Sequence, residues 1–445
     1  MANPNPQLDS QLHTKPLTNG NNILKFVVFS AIGIFMFFIP ISINGTSSIM
    51  LDHIVTYIQK SVPGVIPYYA LLVILLGAIY PFYTKTWNKD GISVFFSVFK
   101  IIGLVVACLL VFKLEPKWLA DPDMGPFLFN KLVISVGLLV PIGSVFLALL
   151  VGYGLLEFIG VLMQPVMRPV WKTPGRSAVD AVASFVGSYS IGLLITNRVF
   201  KEGKYTVKEA AIIATGFSTV SATFMIVVAK TLDLMDMWNL YFWGTLVITF
   251  IVTALTVRIW PLRSMSDEYF DGEGKPEELV KGDRFKHAWK EAMEAAQNSP
   301  SLGKNIWMNL KDGFIMTMSI LPSILSVGLL GLVLAEFTPV FDIIGYIFYP
   351  ITALFHLPDP LLAAKASALS IAEMFLPALL VTGSAIVTKF VIAVVSVSAI
   401  IFFSALIPCI VSTDIPISLP KLLIIWLERV ILTLIITIPI AFLFL

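Results

Sequence analysis

The chain has 445 residues, of which 57% are hydrophobic and only 13% charged, with a formal net charge of +2. Soluble domains carry about 25% charged residues, so this composition excludes a soluble globular domain and points to a polytopic α-helical membrane protein. Two cysteines inside apolar runs and four scattered histidines make neither a disulfide framework nor a metal pattern.

In chain order, residues 1–23 form a polar tail rich in Asn, Gln and Pro, expected to be disordered. Runs 24–43, 65–83, 93–113, 131–155, 208–229, 238–257, 314–335, 388–411 and 421–445 are each long enough to cross a hydrocarbon core of ~30 Å. The first lacks a small-residue cleavage site and exceeds a signal-peptide core, so it is expected to be a retained span. It opens a group of three N-terminal spans over 24–130. Lys85 and Lys89 place loop 84–92 inside, and Glu115, Asp121 and Asp123 place loop 114–130 outside. The stretch Phe158–Trp171, interrupted by Pro165 and Pro169, is amphipathic and expected to lie along the interface, with Glu157 paired to Arg168.

Residues 157–224 hold the densest polar pattern at membrane depth: Asp180, Ser184, Ser188, Tyr189, Ser190, Asn197 and Arg198, then Thr215, Ser218, Thr219, Ser221 and Thr223. Gly187 and Gly192 bracket Ser188-Tyr189-Ser190. An unpaired polar group in hydrocarbon costs several kcal/mol, so irregular polar backbone persists only inside protein or against a water-filled cavity. Close helix packing uses the same small residues without any ligand. Two such clusters, with Asp180 and the Asn197-Arg198 pair, leave a ligand path and plain helix packing equally open. Charge counting adds a second argument. If 177–199 crossed fully, the basic loops 200–207 and 261–312 would both fall outside, against the positive-inside rule. A segment that enters and returns, breaking at Gly187–Gly192, removes the conflict. Segment 261–312 is a charged inside loop in which 283–298 reads as a helix capped by Asp283. Its Phe285, Trp289, Ala292 and Ala296 form a stripe suited to packing beneath the membrane domain.

A shift of 185 residues (345 − 160) aligns 160–219 with 345–404 without gaps. It pairs Gly160 with Gly345, Pro165 with Pro350, Lys204 with Lys389 and Phe217 with Phe402. Under it Asp180 faces Lys365, Ser188 faces Glu373 and Thr219 faces Ser404. If 177–199 is re-entrant, three spans (208–229, 238–257 and 314–335) lie between the start of one copy and the start of the next, and an odd number inverts the second. Inverted repeats with broken helices at the midplane are a transporter architecture.

The run from Glu157 through PVMRPVWKTPGRSAVDAVASFVGSYSIGLLITNR to EAAIIATGFSTVSATF resembles the YjiH-type bacterial membrane proteins, which carry the nucleoside-recognition Gate domain. The layout is similar, more loosely, to the membrane domains of ferrous-iron transporters, spore-maturation proteins and concentrative nucleoside transporters. The resemblance implies an all-α polytopic integral membrane protein of the bacterial cytoplasmic membrane: an inverted repeat of Gate-type elements with broken re-entrant helices. Its first repeat is 131–260, the loop 261–312 and the second repeat 313–445. Where the iron transporters carry cysteines, this chain has Gly187-Ser188-Tyr189-Ser190. Hydroxyls and carboxylates suit hard cations or polar organic solutes better than soft metals.

The expected function is secondary transport of a small polar solute, nucleoside-like by that resemblance, coupled to an ion or proton. The alternative is a non-transporting scaffold or regulatory subunit built on the same repeats. No ATP-binding motif, HExxH, GxSxG or Ser/His/Asp set occurs, so an enzyme is not expected, nor are a cofactor, a metal or a nucleic-acid partner. The expected partners are membrane lipid, the solute and its coupling cation or proton, and a second copy of the chain is compatible with the composition. The expected pathway residues are Asp180, Ser188, Tyr189, Ser190, Asn197, Thr215, Ser218, Thr219, Thr223, Lys365 and Glu373. Intramembrane acids are functional by default, and Glu373 is expected to face the Ser188-Tyr189-Ser190 break across a polar cavity, within reach of Asp180 or Lys365.

Overall fold

A computed structural model describes residues 20–43, 46–88, 91–122, 124–186, 189–220, 222–280 and 282–445. Among them, seven helices are long and apolar enough to cross a membrane. The chain is an all-α polytopic membrane protein apart from one short hairpin. Helix α1 (Gly20–Phe38) starts before the expected 24–43 and ends earlier. Residues beyond Phe38 turn into an antiparallel hairpin, β1 (Pro40–Ile43) and β2 (Thr46–Ile49), followed by the amphipathic α2 (Met50–Ser61).

A bundle then forms from α3 (Ile66–Tyr83), α4 (Gly91–Phe112) and α5 (Ile134–Val151), entered through a π-helical turn over Phe127–Val133. These pack around α13 (Leu302–Phe337). Its 36 residues rise about 54 Å at 1.5 Å per residue, more than a bilayer core. The contact is close because Gly77 lets backbone meet backbone: a Cβ there would sit 1.7 Å from the Met318 carbonyl oxygen. Small residues are what allow such approach in lipid, where the hydrophobic effect gives helices no reason to associate.

The first repeat comprises α6 (Leu155–Trp171), α7 (Ser177–Val186), α8 (Tyr189–Lys201), α9 (Val207–Gly216), α10 (Ala222–Thr231) and α11 (Trp238–Thr256). The inside loop forms α12 (Arg284–Asn298), with the Asp283 carboxylate accepting from the Lys286 N–H at 3.1 Å. Ala292 and Ala296 are buried, and Trp289 and Phe285 meet Phe26 and Phe158. This helix lies against α1 and α6, as its stripe requires. After α13 the element order recurs: α14 (Val340–Gly345) and α15 (Tyr349–Leu354) stand for α6, then α16 (Pro360–Leu369), α17 (Leu376–Leu380), α18 (Ile386–Ser398), α19 (Leu406–Val411) and α20 (Leu419–Phe444).

Helices α7 and α8 pack against each other as a hairpin. With 10 and 13 residues they span about 15 and 20 Å, too short to cross ~30 Å. Gly192 makes the hairpin possible, since a Cβ there would lie 1.7 Å from Ser184 Oγ. In the second copy the return arm is only the five-residue α17 before the chain turns at 381–384.

Two runs expected as continuous spans, 208–229 and 388–411, are each broken in the middle. In the first, the helix stops at Gly216 and the Thr219 N–H donates to the Phe217 carbonyl at 2.7 Å. In the second, Ile400 takes a left-handed φ of 61°, and residues 399–405 leave the helix. Their backbone is satisfied by the adjacent hairpin: the Phe403 and Ser404 N–H groups donate to Ile371 and Ala372 carbonyls at 2.6 and 3.0 Å. The apolar length of each run hid the breaks, although Thr215 to Thr223 and Ser396 to Ser404 mark them with small polar residues.

The copies run in opposite directions. On one face Lys204 pairs with Glu157 just before α9 begins, and Asp414, after α19 ends, meets Asn197 and Lys201. On the other face Asp233, after α10 ends, meets Lys389 at the start of α18. Thus α9–α10 leaves the Lys- and Arg-rich face and α18–α19 returns to it. We expect Asp267→Cys and Asp233→Cys, whose native side chains are 76% and 84% exposed, to react with an impermeant thiol reagent from opposite sides of the membrane, Asp267→Cys from the cytoplasm. Labelling of both from one side contradicts the arrangement.

Candidate functional site at the helix breaks

Asp180 lies in the first turns of α7 and is fully buried. One carboxylate oxygen accepts from Thr196 Oγ1 and the other from the Tyr205 hydroxyl, both at 2.7 Å. Thr196 also contacts the Gly192 carbonyl at 2.9 Å. The acid is therefore held inside the first hairpin by neutral hydroxyls, with Ser184 Oγ beside it buried and unpartnered among the described residues. Its position ties α8 and the following loop to α7.

The tips of the hairpins meet the breaks of the opposite repeat. Tyr189, at the start of α8, sets its ring edge-on to Phe402 in the second break, with centroids 5.7 Å apart. Phe375, at the bend of the second hairpin, meets Phe224 beyond the first break at 5.9 Å. Glu373 sits at this crossing, 3% exposed. One of its oxygens accepts from the Phe375 and Leu376 N–H groups at 2.5 and 3.2 Å, capping α17. Tyr189 lies within electrostatic range of that carboxylate. Ser190, Thr215 and Ser218 are buried nearby in sequence, Thr215 donating to the Ala211 carbonyl at 2.7 Å. Thr219 and its repeat counterpart Ser404 are buried with hydroxyls that find no partner among the described residues. Ser188 and the Thr223 side chain lie outside the described residues.

The remaining expected residues stand at the two mouths. Asn197 joins Asp414 through side chain and backbone at 3.3 and 2.9 Å. It lines a cavity of about 310 Å³ on the Lys- and Arg-rich face with Arg198, Lys201, Asn309 and Asp312. Arg198 closes on Asp312 and Glu202, each at 2.9 Å. Lys365 pairs with Asp342 at 2.6 Å on the opposite face. It also borders a cavity of about 730 Å³ whose wall includes Trp118, Glu336, Leu369 and Leu376. Leu376 is the residue whose N–H Glu373 caps, so this mouth ends against the second hairpin.

Two expected pairings are corrected. The polar groups bonded to Glu373 are backbone N–H groups, while Asp180 and Lys365 are engaged elsewhere, because α17 has an N-terminus in need of a cap. Glu157 pairs not with Arg168 but with Lys204 at 2.7 Å, while Arg168 reaches Glu277 at 3.1 Å. Glu277 comes from the inside loop and also accepts from Gln164 and the Gly175 N–H, a long-range partnership that local spacing does not reveal. A further residue that the sequence reading passed over is Arg429, fully buried inside α20. The available signal was a lone arginine in the middle of an apolar run of spanning length.

Comparison with known proteins gives three findings. The family described as nucleoside recognition, Gate, matches residues 133–235, covering the first hairpin and the first broken helix. An uncharacterized protein of Alkalihalophilus pseudofirmus is 32% identical over 455 aligned positions, covering 96% of each chain. The sporulation integral membrane protein YlbJ of Bacillus subtilis is 32% identical over 62 residues, 14% of this chain and 15% of that one. No solved structure matches the chain. The Gate match and the likeness to an integral membrane protein agree with a multi-pass, transporter-like membrane protein.

At the mouth of the first repeat, burial raises the Glu157 carboxyl, but Lys204 overrides this and holds it below its ordinary range. Burial lowers the Lys204 ammonium, but Glu157 and Glu202 hold it above its ordinary value. The acid's contribution is therefore present above its unfolded pKa and lost as pH falls through the depressed folded value. The lysine's contribution is present below its unfolded pKa and lost as pH rises through the raised one. We expect Glu157→Gln to destabilise the protein by on the order of 2 kcal/mol at neutral pH, between exposed and buried pairs. Thermal unfolding in nanodiscs should show that the variant has lost part of the acid dependence, and an unchanged acid limb contradicts this.

Proposed function

This chain belongs to the same family as the Alkalihalophilus pseudofirmus protein, and we propose that it is a secondary transporter of a small polar solute of nucleoside-like kind, driven by an ion or proton gradient. The observation that carries the reading is the crossing of the breaks, with the first hairpin's tip on the second broken helix and the second hairpin's bend on the first. Discontinuous helices crossing between inverted halves are how secondary carriers build a midplane site and alternate its access. The cavities on the two faces supply approaches from opposite sides, and the residues between them form the barrier that must move.

Chemistry at the crossing suits a nucleoside-like solute. Tyr189, Phe402, Phe224 and Phe375 offer aromatic faces and edges to a planar base. Ser218, Thr219 and Ser404 offer hydroxyls to a sugar, two of them unpartnered in their buried places. The nucleoside-recognition description of the matched family agrees with this chemistry. The same reading places the chain among the YjiH-type proteins and in a bacterial cytoplasmic membrane. The pathway residues are then Asn197 at the inner mouth, Tyr189, Ser190, Thr215, Ser218, Thr219 and Glu373 at the crossing, and Lys365 at the outer mouth. Ser188 and Thr223 extend the same segments. Asp180 serves from within the first hairpin, where it keeps the arms together as the tip moves.

Glu373 is the group best placed to carry the coupling proton or cation, since it lies at the crossing and is almost fully buried. A carboxylate at bilayer depth costs at least ~2.5 kcal/mol, which the capped N–H groups offset only in part. We expect Glu373→Gln to keep the cap, and hence the fold, because its carbonyl oxygen still accepts from Phe375 and Leu376. In proteoliposomes, labelled-nucleoside uptake should lose its response to an imposed pH or cation gradient while downhill exchange persists. Gradient-driven accumulation equal to the native protein's removes Glu373 from coupling.

A further inference from the structure

Arg429 stands mid-way along α20 with no exposed surface. Among the described residues it makes no ion pair with any carboxylate, the neighbouring Glu428 included. Such a charge is among the most expensive groups that a membrane interior can hold, and more so where snorkelling is blocked. What surrounds it explains how it is tolerated. Its Nε donates to the Ser398 carbonyl at 2.8 Å, and its Nη1 donates to Thr253 Oγ1 at 3.0 Å. Thr253 Oγ1 in turn lies 2.9 Å from the Gly216 carbonyl and 2.8 Å from the Thr249 carbonyl of its own helix, sharing its one proton between them. Thr433, one turn further along α20, donates to Ser398 Oγ at 2.8 Å and fixes the same corner.

Gly216 and Ser398 are the last residues of α9 and α18. Each is the C-terminal end of the first half of a broken helix, and the arginine reaches one carbonyl directly and the other through a single hydroxyl. A helix C-terminus carries unsatisfied carbonyls equivalent to about −0.5 of an elementary charge. Two such ends together bring about −1 to one point, which one guanidinium neutralises. The third nitrogen, Nη2, is buried without a partner among the described residues, so it adds nothing that would account for the residue's place. In carriers with discontinuous helices, half-helix C-terminal ends and unwound carbonyls are where sodium or a proton binds.

We propose that Arg429 is the resident cation of the two broken helices, occupying permanently the place where such a carrier would bind an alkali-metal ion, so that this chain takes no sodium there. The link to coupling rests on the transporter reading, but the assignment of the charge does not. Any coupling must then pass through another group, and Glu373 is the buried acid at the crossing. Arg429 is a positioning residue that holds the C-terminal ends of α9 and α18 at a fixed separation.

The test uses thermal unfolding of the purified full chain in nanodiscs, so that a failure of transport leaves it unaffected. The native protein should unfold at the same temperature in sodium chloride and in choline chloride of equal ionic strength. Arg429→Lys should retain most of the stability, and Arg429→Met, of similar volume but uncharged, should lose it or yield no folded protein. Arg429→Ala, if folded, should be stabilised saturably by added guanidinium at concentrations far below denaturing. If Arg429→Met is as stable as Arg429→Lys, or both fail alike, the role as resident cation is overturned. A saturable stabilisation of the native protein by sodium over choline overturns the claim that no alkali ion binds there.

Discussion

The constraint on which the rest of this structure depends is the backbone polar group in hydrocarbon. A helix that stops inside the membrane leaves carbonyls or N–H groups unpaired, at several kcal/mol each. This chain stops helices repeatedly, and among the described residues several of these stops are met by a specific partner. The second break takes its N–H partners from the second hairpin, through Ile371 and Ala372. The second hairpin caps its own short α17 with Glu373. Arg429 donates to the Ser398 carbonyl and to Thr253 Oγ1, which itself lies against the Gly216 carbonyl. The second break is completed within its own repeat, and Arg429 of α20 ties it to Thr253 of the first.

On the proposed carrier reading, the contacts within each repeat and those between the repeats have different parts to play. Groups fixed by partners within one repeat stay together, as Asp180 of α7 does with Thr196 of α8 and Tyr205 of the loop that follows. Ring packing across the repeats, such as Tyr189 on Phe402, is what changes if one repeat rocks against the other. The first kind preserves each hairpin as a body and the second kind forms the barrier between the two mouths. Ion pairs close the inner mouth at Arg198–Asp312 and hold the outer one at Lys365–Asp342. Both are partly exposed, hence cheap to exchange.

Much of this was legible in the sequence, and the limits have physical causes. The re-entrant first hairpin followed from two local signals, the Gly187–Gly192 bracket and the basic residues around Lys204. The direction of the second repeat followed from counting crossings. The capped helix at 283–298 followed from Asp283 and its apolar stripe. What escaped were features without a local signature. Runs 208–229 and 388–411 are apolar enough overall to read as spans despite their small polar residues, and hydropathy does not distinguish a continuous helix from two halves whose break is satisfied by distant residues. The partners of Glu157 and Arg168 lie dozens of residues away, and spacing favoured the nearer but wrong pair. Glu373 was singled out correctly as buried, but its capping of α17 depends on a five-residue helix too short to read. Arg429 looked like one charge in a long span, and its meaning appears only when Gly216 and Ser398 are seen to converge on it.

The central claim is that the first hairpin's tip rests on the second repeat's break and must leave it for solute to pass. It is tested most directly by cross-linking a Tyr189→Cys, Phe402→Cys double variant in which Cys108 and Cys409 are replaced. A short bifunctional thiol reagent applied in native membranes should join the two positions within one chain. The joined protein should then lose nucleoside exchange, with recovery when a cleavable linker is reduced. Failure of the folded variant to cross-link, or full exchange by the joined protein, would contradict the account.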